Sequence, residues 1–165
     1  MSPITLRFAA PEDVGLLLQL IRELAAYEKA PDAVVATEED LRRHGFGPAQ
    51  RFEALLAFID GEPAGFALFY PDFSTWHGRP GLYLEDLYVR EWARGCGVGR
   101  RLMARLAAIA IERDWPAIHF MVFDWNPARE FYRRLGIDAR EEWQPFGATG
   151  DVLHRLASHD VGDVD

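Results

Sequence analysis

Ile4, Leu6 and Phe8 alternate with Thr5 and Arg7, a period of two that predicts a strand with one inward face. The period then lengthens. Val14, Leu17, Leu18, Ile21, Leu24 and Ala25 recur at helical spacing behind Pro11, Glu12 and Asp13, which suit a first helical turn, and the helix reaches Glu28. Thr37 with Asp40 three residues on is a variant capping box for a short second helix stopping near Gly45. Two apolar runs within 52–73 flank Asp60-Gly61, a dipeptide whose backbone accepts positive φ, and predict a hairpin. Residues 82–89 form another strand, rich in aromatic and branched side chains. A helix over 98–113 carries Val98, Leu102, Leu106, Ile109 and Ala110 on one face. The nearly continuous apolar run 117–123 reads as a buried strand with a neighbour on each side. Asn126 as N-cap and Pro127 at the first position open a helix that Gly136 ends. Two more strands are expected within 139–156.

The order β-α-α-β-β-β-α-β-α-β-β holds no repeat and no linker. It predicts one α/β domain over 1–157, with a mixed sheet of about seven strands and helices on both faces, then a short acidic tail at 158–165.

Charge and composition exclude more than they assign. The net charge of -8 argues against a nucleic-acid partner, which calls for a basic stripe. An acidic surface suits solubility and can draw in cations. Cys96 is the only cysteine, so no internal disulfide and no cysteine zinc site can form, and no His-Asp-Glu spacing suggests a metal. The start of the chain lacks the layout of a signal peptide, and no apolar run approaches the roughly 18 residues of a membrane span. The expectation is a soluble, cytoplasmic protein with no membrane partner.

The candidate chemistry begins in the strand-helix turn that contains Gly95, Gly97 and Gly99. The first N–H groups of a helix lack intrahelical partners, the dipole adds partial positive charge there, and glycines let an anion approach. The turn therefore reads as a phosphate loop. The Walker pattern fails, because Arg100 and Arg101 follow Gly99 where lysine and a hydroxyl are needed. The dinucleotide pattern fails on the third glycine. The pattern [QR]-x-x-G-x-[GA] is met by Arg94, Gly97 and Gly99.

On that motif the sequence resembles the GCN5-related N-acetyltransferases (GNAT). Asn126, Ala128, Phe131, Tyr132 and Gly136 resemble the family's later motif. The stretches "LIRELAAYE", "LYLEDLYV", "RGCGVG", "HFMVFDWN" and "FYRRLG" are similar to its diamine (spermidine/spermine-like) acetyltransferase branch.

The resemblance implies acetyl-CoA as cosubstrate, no metal, and direct transfer of acetyl to a small primary amine in a homodimer. Gly95, Cys96, Gly97, Val98, Gly99 and Arg100 would hold the pyrophosphate, helped by Arg94 and Arg101. Leu87, Tyr88 and Val89 would pair with the pantetheine arm, and Asn126 would touch that arm as well as cap its helix. Cys96 has no covalent role in such a transfer. Tyr132 would protonate the departing thiolate. Glu85 would accept the amine's proton, directly or through water, or anchor the cation. Tyr27, Glu28, Trp76, Glu85 and Asp86 would line the amine pocket.

Neighbours on a strand point to opposite faces, so Glu85 and Asp86 can share one side of the sheet only across a bulge. Ser74 stands where the branch carries an acidic residue, which weakens the case for a polyamine and makes a lysine- or thialysine-like amine credible. His77 and His119 read as structural. The aromatic segment 70–81 reads as a loop covering the pocket. Two other classes remain open: a protein or peptide N-acetyltransferase, and a CoA-binding regulatory module without turnover.

Overall fold

The computed structural model describes residues 3–159. The chain divides into two compact units, Met1–Asp124 and Trp125–Asp165. The first holds a five-stranded sheet in the order β1 (Ile4–Phe8), β2 (Glu53–Ile59), β3 (Glu62–Ser74), β4 (Arg79–Val89) and β5 (Ile118–His119). The first four strands pair antiparallel and β5 joins β4 in parallel. With α1 (Val14–Tyr27), α2 (Glu38–Phe46) and α3 (Val98–Glu112) the fold is α/β with a mixed sheet, as the sequence predicts.

Local chemistry explains the elements. Asp13 accepts from Arg7 Nη1 and Nη2 at 2.6 and 2.8 Å and from Ala10 N–H at 2.7 Å, which pins a 3-10 turn ahead of α1. Val14, Leu17, Leu18, Leu20 and Leu24 are buried on the helix's inner face. The helix stops where Lys29 turns left-handed (φ 63) and Ala30 N–H reaches back to Ala25 O at 2.9 Å. Thr37 and Asp40 form the expected capping box of α2. Asp60 and Gly61 both have positive φ, 52 and 82, as the hairpin turn needs.

One face of the sheet supplies Ala54, Leu56, Phe66 and Leu68 to a core with α1 and Leu41 of α2. Alternation places Leu55, Ala57, Ala67 and Phe69, all buried, on the other face, and α3 packs on the sheet with Val98, Leu102, Leu106 and Ile109 buried. Each fully buried leucine contributes roughly 1.5–3 kcal/mol.

Three expectations are corrected. The described residues form five strands, not about seven. The run 117–123 pairs only at Ile118 and His119; Met121 and Phe123 are exposed, so continuous hydrophobicity there is not burial between neighbours. The two strands expected within 139–156 are absent. In the second unit Pro145, Gly147 and Gly150 interrupt any strand, and Val152, Leu153 and Leu156 fall at helical spacing on α5 (Gly150–Ala157). That unit also holds α4 (Ala128–Arg134), which ends at Gly136 (φ 79) as expected. The acidic tail beyond His159 lies outside the described residues.

Candidate active site

The pairing of β3 with β4 slips by one residue at Glu85. Phe69 lies opposite Leu84, but Leu68 lies opposite Asp86, so Glu85 is the extra residue of a β-bulge. Opposed residues of an antiparallel pair share a face. Phe66, Leu68 and Tyr70 alternate onto one face of β3, and their partners Tyr88, Asp86 and Tyr83 therefore share it. Glu85 reaches the same face: its Oε2 accepts the Tyr70 O–H at 2.9 Å. The bulge thus puts two consecutive carboxylates on one side of the sheet. Tyr70 and Tyr83 stack beside them, ring centres 5.1 Å apart.

This is the α1 face, since Leu68, opposite Asp86, belongs to the core beneath that helix. Glu28 is the C-cap of α1 and the third carboxylate of the group. Burial raises the Glu28 carboxyl above its usual range. Burial, then the charges of Glu85 and Glu28, push Asp86 up to about 7. The C-terminal end of α1 adds partial negative charge to the same place. Three acids and a negative helix end make a binding environment for a cation, and Asp86 can exchange a proton near neutral pH. Burial and the neighbouring Glu85 raise the phenols of Tyr70 and Tyr83, so both stay protonated donors.

The other edge of β4 is open past its first half. Among the described residues β5 pairs only with Leu82 and Tyr83. Arg90 N–H donates to Ala64 O at 2.9 Å, and antiparallel alternation then turns the backbone groups of Leu87 and Val89 toward the open edge and those of Tyr88 toward β3. Leu87 and Val89 thus turn their backbone groups to that edge, and Tyr88 does not. Tyr88 contributes its ring: the Arg94 guanidinium lies 4.7 Å from the centre of Tyr27 and 6.0 Å from that of Tyr88, and Arg94 Nε donates to Val89 O at 3.1 Å.

The glycine loop follows. Gly95 and Gly97 have φ of 77 and 93, and Gly97 is the N-cap of α3. Nothing lies within 4 Å of a Cβ built on Gly95. The loop presents the first N–H groups of a 15-residue helix. These features fit a phosphate group. Val98 is buried and Gly99 half-buried, while Cys96 and Arg100 are exposed. Arg101 turns away, its Nη2 3.5 Å from Ile4 O.

In the second unit the N-cap of α4 is Pro127, one residue later than expected; Asn126 stands just ahead of it, and its Oδ1 accepts from Ala128 N–H at 2.9 Å. Tyr132 sits on α4 with its ring 5.1 Å from that of Phe131.

The tip of the β3-β4 hairpin departs from expectation. Segment 70–81 is strand up to Ser74 and again from Arg79, leaving a short turn instead of a covering loop. Trp76 is 88% exposed in that turn, roughly 20 Å from Glu85 along β4. The structure does not bring it to the carboxylates. The Ser74 hydroxyl is used locally, accepting from His77 N–H at 3.2 Å and lying 2.9 Å from its Nδ1. His119 pairs with Asp72 at 3.1 Å. Both histidines have local partners, Ser74 and Asp72.

Residues 17–137 match the Acetyltransferase (GNAT) family. The chain belongs to the GNAT acetyltransferase family. A thialysine N-ε-acetyltransferase of Bos taurus is 38% identical, over 95% of this chain and 99% of its own length. A spermidine/spermine N(1)-acetyltransferase-like protein of Homo sapiens is 36% identical over 95% of this chain and 24% of its own length. An integron cassette protein from the mobile metagenome of V. cholerae has the same fold with TM-score 0.79 at 27% identity, over 95% of this chain and 98% of that one. These relatives place this GNAT protein in the diamine acetyltransferase-like branch, and it is an N-acetyltransferase.

The GNAT resemblance did not point to Tyr70, Tyr83 or the Glu23–Arg90 pair that ties α1 to the end of β4. One signal was present: two adjacent carboxylates inside an apolar strand, which a regular pleat would have split between core and solvent.

Proposed function

We propose that this N-acetyltransferase moves an acetyl group from acetyl-CoA to the terminal primary amine of a small, lysine- or thialysine-like substrate. The observation that carries the reading is the carboxylate pair Glu85–Asp86 on one face of β4, with Glu28 and the negative end of α1 beside it. An alkylammonium ion is the natural occupant of that field. Relatives support the amine class: the Bos taurus protein is a thialysine N-ε-acetyltransferase, and an Arabidopsis thaliana relative, 26% identical over 92% of this chain, is an L-ornithine N5-acetyltransferase. Ser74, engaged in its own turn, adds no carboxylate for a polyamine's further charges.

Acetyl-CoA, when bound, supplies an activated acetyl thioester. The N–H groups at Gly95, Cys96, Gly97, Val98, Gly99 and Arg100 would hold its pyrophosphate, with Arg94 as added charge; Arg101, expected to help, points to Ile4 O instead. Leu87 and Val89 would pair with its extended arm, and Asn126 would touch it. Glu85 anchors the ammonium or takes its proton. Tyr132 O–H gives a proton to the leaving sulfur, a role resting on the motif it shares with the family. Trp76 would reach an amine pocket through the homodimer that the branch implies.

Thiol release from acetyl-CoA, followed with thialysine, lysine, ornithine, putrescine, spermidine and a peptide amine, tests the reading. Turnover is expected to be fastest with the lysine-like amines. A preference for polyamines would move the substrate class, and a preference for the peptide would refute the small-amine reading.

A further inference from the structure

The face that carries Glu85 and Asp86 continues toward the β3-β4 turn. The extra residue of the bulge is on β4, so Leu68, Tyr70, Asp72 and Ser74 of β3 follow one another on that face, and Gly81 and Tyr83, opposite Asp72 and Tyr70, share it. His119 pairs with Tyr83 in parallel register and reaches Asp72 on the same side. From the carboxylates outward the surface is therefore Glu85, then the stacked rings of Tyr70 and Tyr83, then Asp72 with His119 beside it. After burial, the charges of Glu85 and Asp72 push the phenols of both tyrosines up, so the rings lie between two anions.

Asp72 is held in place. Its Oδ1 accepts the Gly81 N–H at 3.0 Å and its Oδ2 lies 3.1 Å from His119 Nδ1. The carboxylate can cross to β4 because residue 81 is glycine: a Cβ there would stand 2.6 Å from Oδ1. Each carboxylate oxygen has a further lone pair, and the side chain is 29% exposed, so Asp72 can accept from a ligand and keep both bonds. The next residue outward on this face, Ser74, is uncharged and turned to His77.

We propose that Asp72, positioned by His119, binds a second ammonium of the substrate while the Glu85, Asp86 and Glu28 carboxylates receive the amine that is acetylated, so that the enzyme selects short dibasic amines such as lysine, thialysine and ornithine. The inference rests on the small-amine reading above. Tyr70 reaches Glu85 through its own hydroxyl, and Asp72 lies one pleat repeat beyond Tyr70, about 7 Å along β3, which is the reach of a lysine side chain. The methylenes of such a chain would lie on the two rings, whose faces favour the carbons next to a cationic nitrogen. An amine with one charge leaves Asp72 unmatched. A long polyamine carries its further charges outward to Ser74.

The test compares kcat/KM for lysine and for ε-aminocaproate, which has the same chain and carboxylate but lacks the α-ammonium, on the full chain and on D72N and H119A, with acetyl-CoA binding measured for each. The wild type is expected to prefer lysine by about tenfold or more, the scale of one charge-assisted hydrogen bond. In D72N the preference is expected to fall to within about twofold. H119A, which leaves Asp72 only the Gly81 N–H, is expected to lower it by about threefold. The ratio separates recognition from folding, since a variant that merely loosens the hairpin slows both amines alike. A wild type that does not discriminate between the two amines, or a D72N that keeps the wild-type preference, overturns the inference. A wild-type chain silent on every amine contradicts the function as well, whereas turnover of small amines without a lysine preference contradicts the inference alone.

Discussion

Arg90 and Glu23 are joined by two hydrogen bonds, Nε to Oε2 at 2.9 Å and Nη2 to Oε1 at 2.7 Å, and through them α1 is tied to the residue that follows β4. Arg90 Nη1 also donates to Pro63 O at 3.1 Å, so the same side chain fixes the start of β3. The clamp, five residues before Glu28, fixes α1 against the end of β4, the strand that carries Asp86.

Glu23→Ala should therefore act at two levels. Leaving Arg90 without its partner is expected to destabilise the fold by about 1–3 kcal/mol in denaturant unfolding. Arg90 holds the Glu23 carboxyl below its ordinary range, so this contribution is present at neutral pH and is lost as pH falls through the lowered value. Kinetically, the amine KM should rise while binding of acetyl-CoA, which the account places at the other edge of β4, stays near wild type.

Asp86 predicts the opposite sign. Its carboxyl is raised from 3.8 to about 7, so the folded state holds the proton more tightly than the unfolded chain. Stability then falls as pH rises between those values, and the penalty is complete above about pH 7. Asp86→Asn should unfold at higher denaturant than wild type at about pH 8, by ~1–3 kcal/mol, with the difference fading toward pH 4. Equal stability at both values would show that Asp86 carries no such strain.

Gly97 is left-handed, φ 93, and a Cβ there would come no nearer than 3.9 Å to Ile4 Cδ1. Gly97→Ala should consequently cost about 1–2 kcal/mol through backbone conformation alone. If the loop holds pyrophosphate, the same change should weaken acetyl-CoA binding in calorimetry while leaving amine specificity intact.

Arg94 lies over Tyr27 and reaches Val89 O, which puts it beside the open edge of β4. Arg94→Ala should raise the Kd for acetyl-CoA about tenfold or more, the scale of one charge-assisted hydrogen bond. An unchanged Kd would make its role packing against Tyr27.

The hydrophobic pattern was most legible where a local signal bounded each element. The capping box at Thr37 and Asp40, the left-handed pair Asp60-Gly61 and the glycine stop at Gly136 all stand where the sequence put them. It misled where apolar content had no local boundary. Residues 117–123 look like a buried strand, yet only Ile118 and His119 find a partner, and a run of hydrophobic residues cannot say which of them a neighbour will cover. Within 139–156, Val152, Leu153 and Leu156 fit a helix face better than a strand, but two glycines and a proline nearby hid that spacing among turn signals. The glycine turn that opens α3 was legible from its motif. Tyr70 was not, because its role depends on a pairing register displaced by the bulge, and register is a property of two strands together.

Whether the carboxylate face of β4 receives the amine is tested by acetylation of thialysine by the wild-type chain and by Glu85→Gln/Asp86→Asn, product detected by mass spectrometry and acetyl-CoA binding measured alongside. The wild type is expected to give N-acetylated product, and the double variant to bind acetyl-CoA normally but make almost none. A double variant that acetylates thialysine as fast as wild type would contradict it, because the amine would then be met and deprotonated somewhere other than the carboxylate face of β4.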